Sequence, residues 1–417
     1  MLFRSRLVDA AWDTWMYCAD GKYYLYYLIT ETSPGEGFGV AVSEDGVHFK
    51  DYGKQIEPSD KMTFYLGTGS VWKPIFQEKG YLCNYSEWRL YGDEKRQQIF
   101  FAWSDDLIHW KKYGDSYAFD IDTRYYTKLE SEQSRWDCIN TLRVADGYIG
   151  CWTARPYAHA GIGLGKSEDG LHWRALPPPD MDISIFDGHE IESGSITFHQ
   201  GRYYMLVGCY DSPRGVVVMV SNDPAGKYVP QAESAALFTN EEFMHGYFAR
   251  FFETPEGTLA NFHVLLREQN QHMRHYTYMA PIKKVHYDEE GILRLRWWQA
   301  NDGLIGPVLD TVQPACMARL NVSDGEKVQI HLQNGDKYLL SINADGRAEL
   351  MRNGKTCARI DRGLKLEGCM QVKILLRDTM LEWYLDEWYM FCYTLPAAVV
   401  DIQYPGHPIT FHALNFE

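Results

Sequence analysis

The stretch Ser43-Glu44-Asp45-Gly46-Val47-His48-Phe49 recurs along the chain and decides the fold. Close copies are Ser104-Asp105-Asp106-Leu107-Ile108-His109-Trp110 and Ser167-Glu168-Asp169-Gly170-Leu171-His172-Trp173, and Ser221-Asn222-Asp223-Pro224 is a shorter one. Short acidic side chains beside Gly are typical of turns in which the side chain caps its own backbone. We therefore interpret each copy as the closing turn of a repeated unit rather than as a metal site.

Strand-type runs precede each closing turn. In the first unit the aromatic run Tyr23-Tyr24-Leu25-Tyr26-Tyr27-Leu28 follows a turn signal and is followed by a second apolar run, 37–42. A second unit covers about 64–114, two more follow around Asp137 and Glu192, and a less regular fifth unit ends near Trp297. Five units of roughly 50–60 residues, each with about four strands, predict a five-bladed β-propeller.

Beyond Gly306-Pro307 the long repeat ends, but short strand patterns continue. Asn-Gly and Asp-Gly turns join several of them, as is typical of hairpins. The predicted strands are 327–332, 337–343, 347–352, 355–360, 369–376, 381–388 and 390–393. This pattern predicts a C-terminal β-sandwich. The sequence therefore predicts an all-β chain with a propeller at 1–305 and a sandwich at 306–417, and one weak helix candidate at 234–243.

Composition excludes several classes of function. The net charge of −15 leaves no basic surface for a nucleic-acid backbone. Nine scattered Cys without a Cys-x-x-Cys pair indicate reduced thiols rather than a disulfide or zinc framework. No apolar run is long enough for a membrane span, and the N-terminus lacks a signal-peptide core, so we expect a cytoplasmic protein without nucleic-acid or membrane partners.

Three carboxylates are spaced like the closing turns. Asp13 lies 30 positions before Ser43, Asp137 lies 30 before Ser167, and Glu192 lies 29 before Ser221. This spacing predicts that the three acids occupy one position of the repeat. The first strand of every propeller blade lies nearest the axis, so we expect the three side chains to converge. Blade two carries no acid in the region 69–72, so the repeat itself does not require one.

Converging carboxylates suit glycoside cleavage. Their repulsion raises at least one pKa, and one ionised and one protonated carboxyl group are what the reaction requires. Glu190 lies two residues from Glu192 on the same strand face, and we prefer Glu192 as the acid because of its register. Trp12, Trp72 and Trp136 offer either stacking faces for a sugar or buried blade packing.

The chain resembles glycoside hydrolase family 32, the group of invertases, inulinases and levanases. In that family a nucleophilic Asp lies on blade one, a stabilising Asp in an Arg-Asp-Pro motif on blade three, and an acid Glu in a Glu-Cys motif on blade four. The resemblance implies these roles for Asp13, Asp137 and Glu192, and Gly69-Ser70 resembles the family's Ser-Gly-Ser stretch. Arg135 is displaced by one position from the family's Arg, which predicts that it points to the opposite strand face.

The resemblance implies a retaining β-fructofuranosidase-like hydrolase of a small glycoside, without cofactor or metal. Two alternatives stay open: an inverting arabinofuranosidase or xylosidase like those of family 43, with Asp13 as general base, and a non-catalytic carbohydrate-binding propeller. The expected partner is a small-molecule sugar. The expected substrate-binding residues are Trp12, Ser70, Trp72, Arg135, Trp136 and Glu190.

Overall fold

The structure is a computed structural model, and it is built of β-strands. It describes residues 3–8, 11–29, 36–75, 80–127, 135–157, 161–209, 215–238, 245–265 and 277–416. Within these ranges the helical segments are short 3-10 helices at Asp115–Tyr117, Ser184–Phe186 and Gln299–Leu304. The predicted helix at 234–243 is wrong over residues 234–238, which form bends and an isolated bridge, and its remainder lies outside the described residues.

The first three units of the repeat are successive antiparallel sheets, and each sheet follows the chain order of its strands. The first sheet contains β1 (Ala11–Ala19), β2 (Lys22–Ile29), β3 (Gly37–Ser43) and β4 (Lys50–Ile56). The second contains β5 (Met62–Gly67), β6 (Val71–Trp72), β7 (Tyr81–Tyr91), β8 (Glu94–Ser104) and β9 (Lys111–Lys112), with β5 and β6 both paired to β7. The third contains β10 (Asp137–Val144), β11 (Gly147–Ala154), β12 (Gly161–Ser167) and β13 (Arg174–Leu176).

The fourth and fifth units continue this pattern. The fourth sheet contains β14 (Asp180–Met181), β15 (Glu192–His199), β16 (Arg202–Gly208), β17 (Val216–Ser221) and β18 (Lys227–Pro230), with β14 parallel to β18. The fifth contains β19 (Gly246–Thr254), β20 (Gly257–Leu265), β21 (Thr277–Met279), β22 (Lys283–Tyr287) and β23 (Leu293–Trp297). The first strands form a closed ring, because β1 contacts β6, β7 contacts β10, β10 contacts β15, β15 contacts β19, and β19 contacts β1.

Each of the sheets in this ring buries both of its faces. Phe100 of β8 packs in the cluster shared with the first sheet, whereas its neighbour Phe101 packs in the cluster shared with the third. Successive side chains of a strand point to opposite faces, so a sheet between two others needs apolar residues at almost every position. This requirement explains the unbroken aromatic run in β2, which is buried from Tyr23 to Ile29.

The closing turns have the predicted capping geometry. Asp45, Asp106 and Asp169 each accept backbone N–H groups from the residues two and three positions ahead. Each also contacts the Nδ1 atom of the following His, at 2.7 Å for Asp45 and 2.6 Å for the other two. The repeated motif therefore serves the fold, as predicted.

The C-terminal region forms two further groups of strands around a shared apolar cluster. One group contains β24 (Ile305–Leu309), β25 (Ala315–Val322), β30 (Met370–Arg377), β31 (Met380–Leu385), β32 (Trp388–Thr394) and β34 (Thr410–Leu414). The other contains β26 (Lys327–Leu332), β27 (Lys337–Ile342), β28 (Arg347–Arg352), β29 (Lys355–Asp361) and β33 (Val399–Gln403). The first group continues the fifth sheet through one pair, Arg296 of β23 with Trp388 of β32. All seven predicted strands of this region exist, with ends that differ by a few residues.

All nine cysteines lie among the described residues and none of them forms a disulfide, in agreement with the prediction of reduced thiols. Seven of them are buried, so they behave as small apolar side chains. In the part of the chain that the structure describes, no helix has the length and apolar character needed to cross a membrane.

Candidate active site

Each first strand of the ring has an irregularity in its pairing with the neighbouring strand, near the start of the strand. In each, the register shifts by one residue, which is the signature of a β-bulge. The shifts lie between Trp12 and Thr14, between Asp137 and Asn140, between Ser193 and Ser195, and between Tyr247 and Arg250. In the second sheet the corresponding shift separates β5 from β6.

The predicted equivalence of the three carboxylates is wrong by one residue for Asp13. Counted back from the hairpin ends at Ala19, Val144 and His199, Asp137 and Glu192 match each other, whereas Asp13 lies one residue nearer its hairpin. The equal 30-residue spacing arises because the connection between β2 and β3 is one residue longer than that between β11 and β12. Asp13 itself is the bulged residue and has a left-handed φ of 42°.

The three carboxylates nevertheless converge, and Arg135 links two of them. Its Nη1 atom lies 2.6 Å from Oε1 of Glu192, and its Nη2 atom lies 3.4 Å from Oδ2 of Asp137. Oε2 of Glu192 accepts a 2.6 Å hydrogen bond from the hydroxyl of Tyr247. Glu192 is therefore held between a cation and a phenol.

Asp13 is the carboxylate of the cluster whose negative charge has the fewest stabilising contacts. It is 5% exposed, and its Oδ1 atom has no hydrogen-bond partner among the described residues. Burial raises its pKa well above the ordinary value, Glu192 and Asp137 raise it further, and Arg250 and Arg135 oppose this shift. Burial also raises the pKa of Asp137, against the opposing charge of Arg135. The pKa of Asp13 and that of Asp137 thus shift in the predicted direction, with burial rather than repulsion between the carboxylates as the main cause.

Arg135 lies on the same face as Asp137, which is the face opposite to that of a residue directly before Asp137, as its displacement by one position predicts. Arg135 precedes the first residue of β10, and residues two apart on an extended chain share a face. Burial alone would lower the pKa of its guanidinium, but Glu192 and Asp137 outweigh burial and hold that pKa well above the ordinary value. Arg135 is therefore a permanent cation inside the carboxylate cluster.

Three residues of the second sheet support Asp137, and the sequence did not single them out. Ser86 donates a 2.5 Å hydrogen bond to Oδ1 of Asp137, and Gln97 donates to Ser86 at 3.1 Å. Gly67 faces the same carboxylate, because a Cβ atom there would overlap both Oδ1 of Asp137 and the hydroxyl of Ser86. The absence of a side chain at Gly67 leaves the space that Asp137 fills.

Further residues complete the cluster, and they too escaped the sequence argument. Arg250 is 2% exposed and donates to Thr68 Oγ1 at 3.0 Å and to the carbonyl of Gly69 at 3.2 Å. Tyr65 lies close to the cluster. Burial is the main cause of its raised pKa, and Asp137 and Asp13 raise that pKa further. Tyr247, Tyr65 and Arg250 lie in unremarkable aromatic stretches of sequence, and only the ring of first strands brings them together.

Several predicted substrate-binding residues lie away from the cluster. Trp136 is fully buried and packs on Trp152 with a ring-centroid distance of 4.9 Å. Trp72 is 3% exposed and donates to the carbonyl of Gly170. The hydroxyl of Ser70 donates to the carbonyl of Ile139 at 2.5 Å. The packing alternative therefore describes both Trp side chains, whereas Trp12, beside Asp13, is half-buried.

Glu190 occupies a different environment from Glu192. Its carboxylate is 61% exposed and forms an ion pair with Nη2 of Arg155, whereas the Glu192 carboxylate is 14% exposed. Glu190 precedes β15, and Glu192 is the first residue of that strand. The structure thus joins Glu192, rather than Glu190, to the Arg135–Asp137 contact.

A cavity of about 720 Å³ lies on the hairpin side of the bulges. All five sheets of the ring line it, with segments that begin at Trp15, Ser70, Asn140, Ser195 and Arg250. Two predicted substrate-binding residues, Ser70 and Trp72, are among the lining residues, and the three carboxylates are not. Arg250, at the bulge of β19, borders this cavity and contributes charge to Asp13. The carboxylate cluster therefore occupies the strand-start end of the ring.

Comparison with known proteins identifies the fold. No protein-family model and no curated protein matches this chain by sequence. Among solved structures, sucrose-6-phosphate hydrolase from Lactobacillus gasseri is similar with a TM-score of 0.73 and 15% identity, covering 99% of this chain and 94% of that one. A GH32 β-fructofuranosidase of Bombyx mori gives 0.73 and 11%, covering 97% and 91%.

A third similar structure is fructan 1-exohydrolase IIa from Cichorium intybus in complex with 1-kestose. Its TM-score is 0.67 at 11% identity, covering 99% of this chain and 97% of that one. The chain therefore has, over almost its whole length, the fold of the glycoside hydrolase family 32 enzymes.

Proposed function

We propose that the chain is a glycoside hydrolase that cleaves a small glycoside, in the manner of a retaining β-fructofuranosidase. The observation that carries this proposal is the convergence of Asp13, Asp137 and Glu192 at one end of the ring of first strands. The fold it shares with three sugar-cleaving enzymes supports it. One of those structures contains 1-kestose, which supports a sugar as the partner.

In the proposed mechanism Asp13 attacks the anomeric carbon and Glu192 protonates the leaving oxygen. Asp137 stabilises the positive charge that develops on the sugar. Asp13 must be ionised to attack, and the guanidinium groups of Arg135 and Arg250 favour its ionised form. Glu192 must acquire a proton, so substrate binding has to loosen its contact with Arg135.

The architecture follows the same proposal. We infer that the five sheets of the ring are propeller blades in residues 1–305 and that residues 306–417 form the sandwich. We also propose a cytoplasmic location. Neither the acid roles nor the domain boundary depends on this location.

A turnover screen tests the proposed function. Purified protein is offered neutral fructosides, arabinosides and xylosides, and released sugar is measured for wild type and for Asp13→Ala. We expect hydrolysis of at least one substrate by wild type and a loss of at least a thousandfold in Asp13→Ala. Asp93→Asn, an exposed acid in the turn between β7 and β8, is the matched control and keeps full activity.

The anomeric form of the first product, followed by NMR, distinguishes the retaining mechanism from the inverting alternative. Equal activity of wild type and Asp13→Ala on every cleaved substrate would rule out the assigned nucleophile.

A second candidate is a sugar-binding protein without turnover. The observation that favours it is the ion pair of Glu192 with Arg135, because this contact engages an oxygen of the assigned acid. Sugar binding without release of product, unchanged in Asp13→Asn, is the result expected of this candidate.

A further inference from the structure

Two arginines lie opposite each other at the edge of the carboxylate cluster. Asp137 of β10 pairs with Thr153 of β11, and the same register extended by two residues places Arg135 opposite Arg155. Like charges directly opposite on neighbouring strands destabilise a sheet. Burial lowers the pKa of Arg155, and Arg135 contributes to that lowering. Such a pair needs anions close to it.

Two glutamates at neighbouring sequence positions supply those anions, but they are not equivalent. Arg135 contacts Glu192, which is 14% exposed, whereas Arg155 contacts Glu190, which is 61% exposed. A contact with a solvent-exposed carboxylate contributes little free energy and exchanges readily. Glu190 is therefore the displaceable partner.

The guanidinium of Arg155 has an unused donor on the edge that faces Glu190. Its side chain is 10% exposed, Nη2 binds Glu190, and Nε is buried without a hydrogen-bond partner among the described residues. Nε and Nη2 form the two-donor edge that binds a carboxylate through two parallel hydrogen bonds. Leaving a buried donor unpaired is unfavourable, so a ligand that engages both donors gains free energy relative to Glu190.

We propose that Arg155, assisted by Arg135, binds a carboxylate group on the leaving sugar, so that the preferred substrates are glycosides of a uronic acid. The substrate carboxylate displaces Glu190 and engages Nε and Nη2 of Arg155. This assignment rests on the proposed function, because Glu192 protonates the leaving oxygen and Arg155 lies beside it. The two-donor edge of an arginine can bind a carboxylate or a phosphate, and a carboxylate is assigned because the carboxylate of Glu190 already lies against this edge.

Binding of free sugars tests the assignment without turnover. Calorimetric titration compares glucuronate, glucose and glucose 6-phosphate on wild type, Arg155→Met, Arg155→Lys and Glu190→Gln. We expect glucuronate to bind wild type at least about tenfold more tightly than glucose, as hydrogen bonds to charged groups allow. Both Arg155 variants lose this preference, since Lys keeps the charge but lacks the two-donor edge, and Glu190→Gln increases it.

Arg347→Met is the matched control, because Arg347 is an exposed arginine paired with Asp345 in the C-terminal region. It keeps the preference of wild type. Equal affinities for glucuronate and glucose, or a preference that survives in Arg155→Met, overturn the assignment. Tighter binding of glucose 6-phosphate than of glucuronate overturns the carboxylate class.

Turnover separates this inference from the proposed function. Values of kcat/KM are compared for a pair of glycosides whose leaving sugar is glucose or glucuronic acid. Asp13-dependent hydrolysis without a preference for the acid overturns this inference and leaves the proposed function intact. Arg155-dependent binding of glucuronate without hydrolysis of any glycoside overturns the proposed function and supports the carboxylate site.

Discussion

Asp13 combines a left-handed backbone, burial and an unpaired carboxylate oxygen in one residue. Non-glycine residues occupy that backbone region at a cost, and Asn tolerates it as well as Asp does. We therefore expect Asp13→Asn to remove a buried charge without disturbing the bulge. The variant loses turnover and gains stability on the order of 1–3 kcal/mol at pH values above the raised pKa of Asp13. Urea denaturation measures this gain, and a loss of stability would contradict the environment described for Asp13.

The pH dependence of this gain has a definite sign. The pKa of Asp13 is raised in the folded protein, so wild type carries the unfavourable buried charge only above that raised pKa. As pH falls below it, the advantage of Asp13→Asn shrinks, and it is gone below the ordinary carboxyl pKa, where the unfolded chain is protonated as well. Denaturation at a series of pH values checks this, and an advantage that grows toward acid pH contradicts it.

Gly67 is the second residue whose replacement is informative. A Cβ atom at Gly67 overlaps the Asp137 carboxylate and the Ser86 hydroxyl, so Gly67→Ala must displace Asp137. We expect kcat/KM to fall by roughly a hundredfold, since small misplacements of catalytic groups are that costly. Gly114→Ala is the control, because a Cβ there meets no atom within 4 Å. Steady-state kinetics of the two variants checks the prediction, and equal activity contradicts it.

The sequence predicts the three acids and Arg135, but not the other residues that contact them. Asp13, Asp137 and Glu192 stand out because an acid beside a strand start is unusual in an apolar repeat. Tyr247, Ser86 and Gly67 have no such signature, because their contacts depend on which sheets of the ring are neighbours. The displacement of Arg135 by one position predicts its face, but its contact with Glu192 depends on which strands are neighbours.

Among the elements, β22 and β31 are joined by a buried ion pair. Lys283 and Glu382 are both fully buried and lie 2.6 Å apart, and Lys283 also donates to the carbonyl of Pro281 at 2.6 Å. Removal of one partner leaves a buried charge uncompensated, which costs about 3–5 kcal/mol. We therefore expect Lys283→Met to lower stability by this amount.

The double variant Lys283→Met with Glu382→Leu provides the control. It leaves no charge at this position, so it recovers most of the loss. Chemical denaturation of the three proteins measures both effects. A double variant as unstable as Lys283→Met alone would show that packing, rather than the charge, is responsible.

The closing turns make stability depend on pH in the acid range. Burial alone would raise the pKa of Asp106, but hydrogen bonds from His109 and Ile108 outweigh it and lower the pKa to about 2. A lowered folded pKa adds stability above the unfolded pKa, and this stability is lost as pH falls toward about 2. Asp106→Ala should therefore destabilise at neutral pH by roughly 1 kcal/mol and have a negligible effect near pH 2. Thermal denaturation at both pH values checks this, and an equal effect at both contradicts it.

The sequence predicts the ends of strands more accurately in the C-terminal region than in the ring. The strands Lys327–Leu332 and Arg347–Arg352 coincide with the prediction because their side chains alternate between buried and partly exposed. In the second sheet, β7 and β8 each run for 11 residues and extend beyond their apolar parts. Charged residues such as Arg89 continue the pairing there. Hydropathy alone does not reveal such pairing.

For the whole molecule, the C-terminal region and the ring depend on each other. Arg362, next to β29, is 3% exposed and donates to the carbonyls of Ala236 at 2.6 Å and Leu237 at 2.9 Å. Lys283 of the ring needs Glu382 of the C-terminal region. The boundary after residue 305 stays a prediction, and these contacts indicate that it does not separate independently stable parts.

Truncation measures this dependence. We expect a fragment of residues 1–305 to be insoluble or to lack a cooperative transition, because it exposes the buried Lys283. The full chain should unfold in one transition seen alike by near-UV and far-UV circular dichroism. A soluble fragment 1–305 with its own sharp transition would contradict the interdependence.

The repeat of closing turns was enough to predict an all-β chain and its shared fold, because turn geometry constrains residue type locally. The proposed choice of sugar is not encoded locally in this way. It depends on side chains such as Arg135 and Arg155, which come from strands that meet only after the ring closes.

The bulge at the same level of the first strands has a consequence for how this site tolerates change. A bulge absorbs one residue, so pairing on its hairpin side keeps its register whatever happens on the other side. An insertion or deletion of one residue just ahead of the bulge therefore exchanges the side chain that faces the axis and leaves the blade packing as it was. The ring can vary its chemistry at the strand starts while its hairpins keep the architecture fixed, and Asp13, one position out of step with the other two acids, is an instance of that freedom.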